Sequence, residues 1–223
     1  MNIVKPYARI FPEHGHAQFH LSDGEELLRK IEFCGRISHR SEDAQTHDSW
    51  KRFIEAVVIG HGDWSIVEHA SVTVDFLVDR GITHELVRHR LFSFTQESTR
   101  FVNYEKKMPP SFIRPNFDNP LSERSWEVAI GRCEDTYKQL IADGCAPQIA
   151  RSVFPNALAS RIITTGNLRN WRHLMLLRTT KETHPQFREV TIPLLAEFKA
   201  KIPILFDDIE PLARQIDNMR KPR

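Results

Sequence analysis

The chain has 223 residues, 40% hydrophobic and 27% charged, which is the balance of a soluble globular protein long enough for one sizeable core or two small ones. Its 31 Lys and Arg stand against 29 Asp and Glu, and a net charge of +2 gives no bulk argument for a nucleic-acid or membrane partner. Cys34, Cys133 and Cys145 are odd in number and form no Cys-x-x-Cys pair, which argues against a disulfide framework or thiolate zinc site and fits a reducing compartment. No apolar run reaches the ~18 residues of a membrane span. Residues 1–10 hold Lys5, Pro6 and Arg9 rather than the apolar stretch of a secretory leader. A cytoplasmic location is expected.

In chain order, the spacing of Leu27, Leu28, Ile31 and Cys34 predicts a helix over residues 22–40, capped by Ser22 or Asp23 with Glu25 and Glu26 in its first turn. A second helix is predicted over 48–61, with Phe53, Ile54, Val57 and Val58 on one face. Residues 71–79 alternate apolar Val72, Val74, Phe76 and Val78 with Ser71, Thr73 and Asp75, the pattern of a half-buried strand, and Gly81 breaks it. A helix is expected over 82–91. Residues 104–122, with Pro109, Pro110, Pro115 and Pro120, read as a long surface loop. Helices follow over 125–142 and 147–154, a strand over 158–165 and a helix over 167–178. Pro185 suits the first position of a last long helix, which Pro193 should bend or interrupt. This order indicates a mixed α/β or α+β fold in a single domain, 1–223, rather than a regular βαβ array. No Gly-x-Gly-x-x-Gly and no Walker A segment occurs, so a phosphate-bearing ligand must be held by side chains, and arginine suits that task.

The most informative stretch is residues 85–100. It holds Glu85, Arg88, His89, Arg90, Ser93, Thr95, Gln96, Glu97, Ser98, Thr99 and Arg100. On a helix, Arg88, His89 and Arg90 point about 100° apart, so they cannot all serve one small ligand, and two anionic ligands side by side would use that geometry. The plainer alternative is a solvated basic helix end favoured by the helix dipole.

Arg88-His89-Arg90, seven residues and then Ser98, followed by Arg100, resembles the signature of the flavin-dependent thymidylate synthases. Further segments resemble that family in the same order. They are Cys34-Gly35-Arg36-Ile37-Ser38, Gly60-His61 through Ser65-Ile66-Val67-Glu68-His69, Ala150-Arg151-Ser152-Val153-Phe154-Pro155, and Asn167-Leu168-Arg169 through His173 and Arg178. The resemblance implies a central, mostly antiparallel sheet flanked by helices. It also implies reductive methylation of dUMP to dTMP, with FAD as tightly bound cofactor and NADPH and 5,10-methylenetetrahydrofolate as co-substrates. A homotetramer with FAD between subunits comes with the same resemblance.

By position, the resemblance places Glu85, Leu86, Val87 and Arg88, then Gln96, Glu97, Ser98, Thr99 and Arg100, around dUMP, with Arg151 as a phosphate ligand from a neighbouring subunit. Arg178 is implied to favour ionisation at uracil N3, and Ser98 to lie beside the pyrimidine. The sequence does not show the neighbouring base that an attacking serine needs, so Ser98 is read as polarising the ring. FAD contacts fall on Ser65, Arg88, His89, Arg90, Asn167, Arg169 and His173, with Ser38, His61, Glu68 and His184 as further candidates. Departures from the family pattern are Gln96, where some members have Glu, and His173, where some have Asn.

Each assignment has a duller counterpart. Asn167 can serve only as a helix cap, Arg178 as a dipole partner, Arg151 in a surface ion pair and His173 in packing. His14, His16 and His20 cluster as a metal site would, yet no carboxylate or cysteine partner stands out, and no metal is expected. Phe92, Phe94, Phe101 and Tyr104 among arginines could stack bases, but the near-neutral charge argues against a nucleic-acid module. The closest alternative is a related flavin-dependent UMP/dUMP C5-methylase.

Overall fold

A computed structural model describes residues 1–10, 24–106 and 108–214. The capping residues Ser22 and Asp23 and the histidines His14, His16 and His20 lie outside the described residues. The elements are strands β1 (Asn2–Val4), β2 (Tyr7–Ile10), β3 (Ser71–Asp79), β4 (Ser93–Gln96), β5 (Ser111–Ile113) and β6 (Ala159–Asn167), and helices α1 (Gly24–Ile37), α2 (Ser49–Phe53), α3 (Arg80–Leu86), α4 (Pro120–Ala142), α5 (Pro147–Ala150), α6 (Leu168–Arg178), α7 (Pro185–Lys201) and α8 (Pro203–Phe206). Four strands form an antiparallel sheet in the order β2-β3-β6-β4, and β1 and β5 form a separate parallel pair. The mixed helix-and-sheet class expected from the sequence is therefore present. No described helix is long and apolar enough to cross a membrane.

The chain gathers into two compact units. Unit 1 comprises Met1–Tyr7, Phe76–Arg88 and Phe94–Ile163. Here β1 pairs with β5 in the register Asn2↔Ser111, Ile3↔Phe112 and Val4↔Ile113. Phe112 and Ile113 are buried, which corrects the surface-loop reading of 104–122: the proline-rich flanks are loops, but they carry an apolar strand between them. α4 begins five residues earlier than expected, because Asn119 accepts a hydrogen bond from Leu121 N and Pro120 sits at the first helical position, where its missing N–H costs nothing. Gly144, at φ +87°, closes the helix. Tyr137 of α4 stacks on Phe154 at 4.4 Å, and both rings meet Tyr104 edge-on.

Unit 2 comprises Ala8–Asp75, His89–Ser93 and the chain from Thr164 on. α1 buries Leu28, Ile31 and Gly35, and its fully buried Glu32 is held by Arg36 at 2.8 Å. The expected helix over 48–61 is α2 continuing into a π-helical segment, Ile54–Gly60, in which His61 N donates to Ala56 O at 2.9 Å; Ile54 and Val58 stay buried as the apolar spacing required. A 3-10 turn, Trp64–His69, leads into β3. Within this unit Asp75 departs from the outward pattern read from the sequence: it is fully buried and receives Arg9 Nη2 at 2.9 Å. Trp171 of α6, also fully buried, donates its indole N–H to Val72 O at 2.9 Å. α7 runs unbroken through Pro193, so of the expected bend or interruption the interruption does not occur. The lost backbone bond is offset by the burial of Phe187, Val190, Leu194, Leu195 and Phe198 on both sides of the proline.

Candidate active site

In unit 1, β4 and the turn after it carry the second half of the signature. Gln96 points its amide inward, donating to Thr83 Oγ1 and Ser160 Oγ, both at 3.1 Å. Glu97 N donates to Arg161 O at 2.8 Å, and the Glu97 carboxylate accepts from Tyr104 OH at 2.7 Å. Burial in the first place, and then the Glu97 carboxylate, push the Tyr104 hydroxyl well above the ordinary tyrosine range, so it remains a donor. Ser98 O accepts from Phe101 N and Val102 N, which turns the chain so that Ser98 is half-buried, Thr99 buried and Arg100 exposed. Arg151, exposed at the start of a 3-10 turn, donates to Thr99 Oγ1 at 3.0 Å. Arg100 donates to Gln148 Oε1 at 3.3 Å and lies over Phe101. Thus Ser98, Thr99, Arg100 and Arg151, read from separate segments, share one neighbourhood.

α3 is shorter than the expected 82–91 helix. Its start is fixed by Asp79, whose carboxylate accepts from Ile82 N at 2.8 Å. It ends at Leu86, and Arg88 N bonds to Glu85 O, a turn rather than an α-helical continuation. Leu86 is fully buried, so what it can offer a ligand is backbone; Glu85 and Val87 are half-buried and Arg88 is exposed. Arg88, His89 and Arg90 therefore leave the helix instead of radiating from it. The cause in unit 2 is Phe92, whose ring meets Trp171 edge-on at 4.7 Å and fills the space above Gly166, where a Cβ would lie 2.3 Å from the ring. Burying that ring outweighs the helical preference of the two arginines.

Unit 2 also holds the remaining predicted residues. Arg178, at the end of α6, donates from Nε to His89 Nε2 at 2.9 Å, and its guanidinium lies 5.4 Å over the Phe187 ring. Burial, then Arg178, then His173 hold the His89 imidazole down to about 4, so the ring is neutral and accepts at Nε2 while its proton sits on Nδ1. Asn167 caps α6, accepting from Asn170 N at 2.9 Å. Asn170 in turn donates to Leu91 O at 3.1 Å. Arg169 pairs with Glu68 at 2.5 Å, both exposed. Arg90, Ser65, His173, His61, Ser38 and His184 are exposed, and the Ser38 hydroxyl donates to Gly35 O at 2.8 Å. Sequence reading missed Thr83, Ser160 and Phe187 and the bond of Tyr104 to Glu97, because each acts through a partner that only the fold brings to it.

The family model for the thymidylate synthase complementing protein matches residues 21–204. The flavin-dependent thymidylate synthase of Corynebacterium efficiens is 33% identical over 207 residues, covering 84% of this chain and 80% of that one. That of Mycobacterium sp. (strain JLS) is 33% identical over 221 residues, covering 86% and 84%, and that of Mycobacterium bovis (strain BCG / Pasteur 1173P2) is 32% identical over 211 residues, covering 85% and 81%. Among solved structures, a UMP/dUMP methylase from Streptomyces cacaoi bound with 5-Br dUMP superposes with a TM-score of 0.73 over 93% of this chain and 96% of that one, at 21% identity. That likeness establishes a shared fold. The chain belongs to the flavin-dependent thymidylate synthase family, a family of enzymes.

Proposed function

We propose that this chain reductively methylates dUMP to dTMP, taking the carbon from 5,10-methylenetetrahydrofolate and reducing its FAD with NADPH, as a cytoplasmic homotetramer. The observation that carries the reading is the turn after β4, closed by Phe101 N and Val102 N on Ser98 O, which presents Ser98, Thr99 and Arg100 at the spacing Arg88-His89-Arg90, seven residues, Ser98. The residue roles are those the resemblance implies. Arg88 and Arg100, with Arg151 of a neighbouring subunit, present forked donors to a phosphate that carries nearly two negative charges. Glu85, Leu86, Val87, Gln96, Glu97 and Thr99 line the nucleotide, and the Gln96 amide held by Thr83 and Ser160 fixes that side chain's orientation. Arg178 sets a fixed positive charge against the anion that develops at uracil N3. Ser98 polarises the pyrimidine with its hydroxyl.

The donor set also fits a phosphate-bearing flavin. Arg90, Arg169 and His173 are exposed residues of unit 2, Arg169 paired with Glu68, with Ser65 and Asn167 as neutral donors, while Arg88 and His89 complete the proposed FAD contacts. When bound, FAD supplies the hydride that the protein's own side chains cannot. The protein's part is to bind, orient and place charge.

Purified protein should be yellow, or become so on reconstitution with FAD. It should oxidise NADPH and form dTMP when dUMP and methylenetetrahydrofolate are both present, and sediment as a tetramer. Colourless protein that takes up no FAD would overturn the cofactor assignment. Equal turnover of UMP and dUMP would move the reading to a UMP/dUMP C5-methylase. Ser98→Ala should slow methyl transfer while leaving flavin content intact, and an unchanged rate removes Ser98 from the chemistry.

A further inference from the structure

We infer that His89 is a positioning residue for Arg178: its Nε2, accepting the Arg178 Nε–H, aims the guanidinium at the pyrimidine. The inference rests on the reading of Arg178 as the cation at the uracil ring. It assigns to His89 a task beyond contact with the cofactor.

An arginine side chain has many rotamers, and a charge used in catalysis must be held still. Arg178 is fixed at several points. Thr191 Oγ1 donates to Arg178 O at 2.7 Å and anchors its backbone. The Phe187 ring lies under the guanidinium. His89 Nε2 takes the Nε–H at 2.9 Å. With Nε committed to His89, the side chain's fork is oriented by a hydrogen bond rather than by solvent.

The acceptor is itself held. The His89 ring meets Phe92 edge-on at 6.3 Å and 87°, and Phe92 is fixed against Trp171 and Gly166. A protonated imidazole would have two N–H donors and could not accept from Arg178. Burial keeps the ring neutral, and the charges that face it are Arg178 and His173. The segment joining Arg88 to Phe92 thus leaves the helix with a consequence for Arg178: it delivers an acceptor to the end of α6.

The test is a double-mutant cycle on FAD-loaded protein, measuring dUMP affinity by equilibrium dialysis and flavin content by absorbance. His89→Leu should weaken dUMP binding by roughly ten- to a hundredfold, the range for losing a hydrogen bond to a charged group. In an Arg178→Ala background the same substitution should cost nothing further. His89→Gln, which can still present an acceptor near the Nε2 position, should recover most of the affinity. Where His89→Leu does not fold, His89→Asn, polar but too short to reach Arg178, completes the cycle. Losses that add in the double variant, or a His89→Gln as weak as His89→Leu with FAD fully bound, would overturn the inference. Failure of the unmodified protein to bind dUMP would instead overturn the reading of the substrate.

Discussion

Tyr104→Phe isolates a single hydrogen bond that supports the signature turn. The ring packs edge-on against Tyr137 at 6.0 Å and Phe154 at 5.5 Å, and a phenylalanine retains both contacts. What is lost is the hydroxyl, which donates to Glu97 Oε1 at 2.7 Å. A hydrogen bond to a charged group contributes about 1.5–3 kcal/mol. Glu97 is only half-buried and water can replace part of the bond, so the lower end, about 1.5 kcal/mol, is expected. The assay is urea unfolding with the slope held common to both proteins. The same bond has a pH signature. The folded hydroxyl ionises well above its ordinary value, whereas the unfolded one ionises near 10. Above about pH 10 the unfolded chain therefore binds fewer protons than the folded one, and stability falls as pH rises. The Phe variant should lack this alkaline decline. Equal stability at neutral pH, or an unchanged alkaline slope, would refute the argument. A drop in dUMP affinity with it would show that Glu97 holds Ser98 and Thr99 in register.

Three further outcomes follow from unit 2. Gly24→Ala places a Cβ 2.1 Å from Lys201 O, a backbone atom with little freedom to move, so overpacking should destabilise by about 3 kcal/mol or more in thermal or urea unfolding. Asn167→Ala removes the α6 cap at a cost of about 1 kcal/mol, while Asn167→Asp keeps the acceptor; if the amide also touches the flavin, the Asp variant will be stable yet bind FAD more weakly in a fluorescence titration. Acid should unfold the protein in part through His89: between about pH 6.5, where the unfolded imidazole titrates, and about 4, where the folded one does, the unfolded chain holds the extra proton, so stability falls as pH falls. His89→Gln should flatten that part of the stability curve measured by urea midpoints.

The elements legible in the sequence are those whose determinants lie within a few residues. β3 announces itself by alternation, α6 by the Asn167 cap and α7 by Pro185 at its first position. β1 and β5 are three residues each, and their pairing joins positions such as Asn2 and Ser111 that no local pattern connects. β4 was hidden because its residues, Ser93 to Gln96, alternate half-buried and exposed positions without an apolar stripe. Of the candidate site, the residue types were readable and the scaffolding was not. Thr83, Ser160 and Tyr104 carry no signal of their own, since a hydroxyl becomes a positioning group only when the fold delivers a partner to it.

The signature triplet shows how far such reasoning reaches. Adjacency alone favoured a helix with side chains spread around it, and helix propensity offers nothing against that. The decisive term is elsewhere: Gly166 on β6 leaves a space that Phe92 fills against Trp171. Filling it draws the chain out of the helix after Leu86 and sets His89 beside Arg178. A glycine that sequence reading had no reason to single out therefore governs where the motif histidine stands. A side chain at position 166 should displace Phe92, the ring its Cβ would meet, and through it disturb the His89–Arg178 bond.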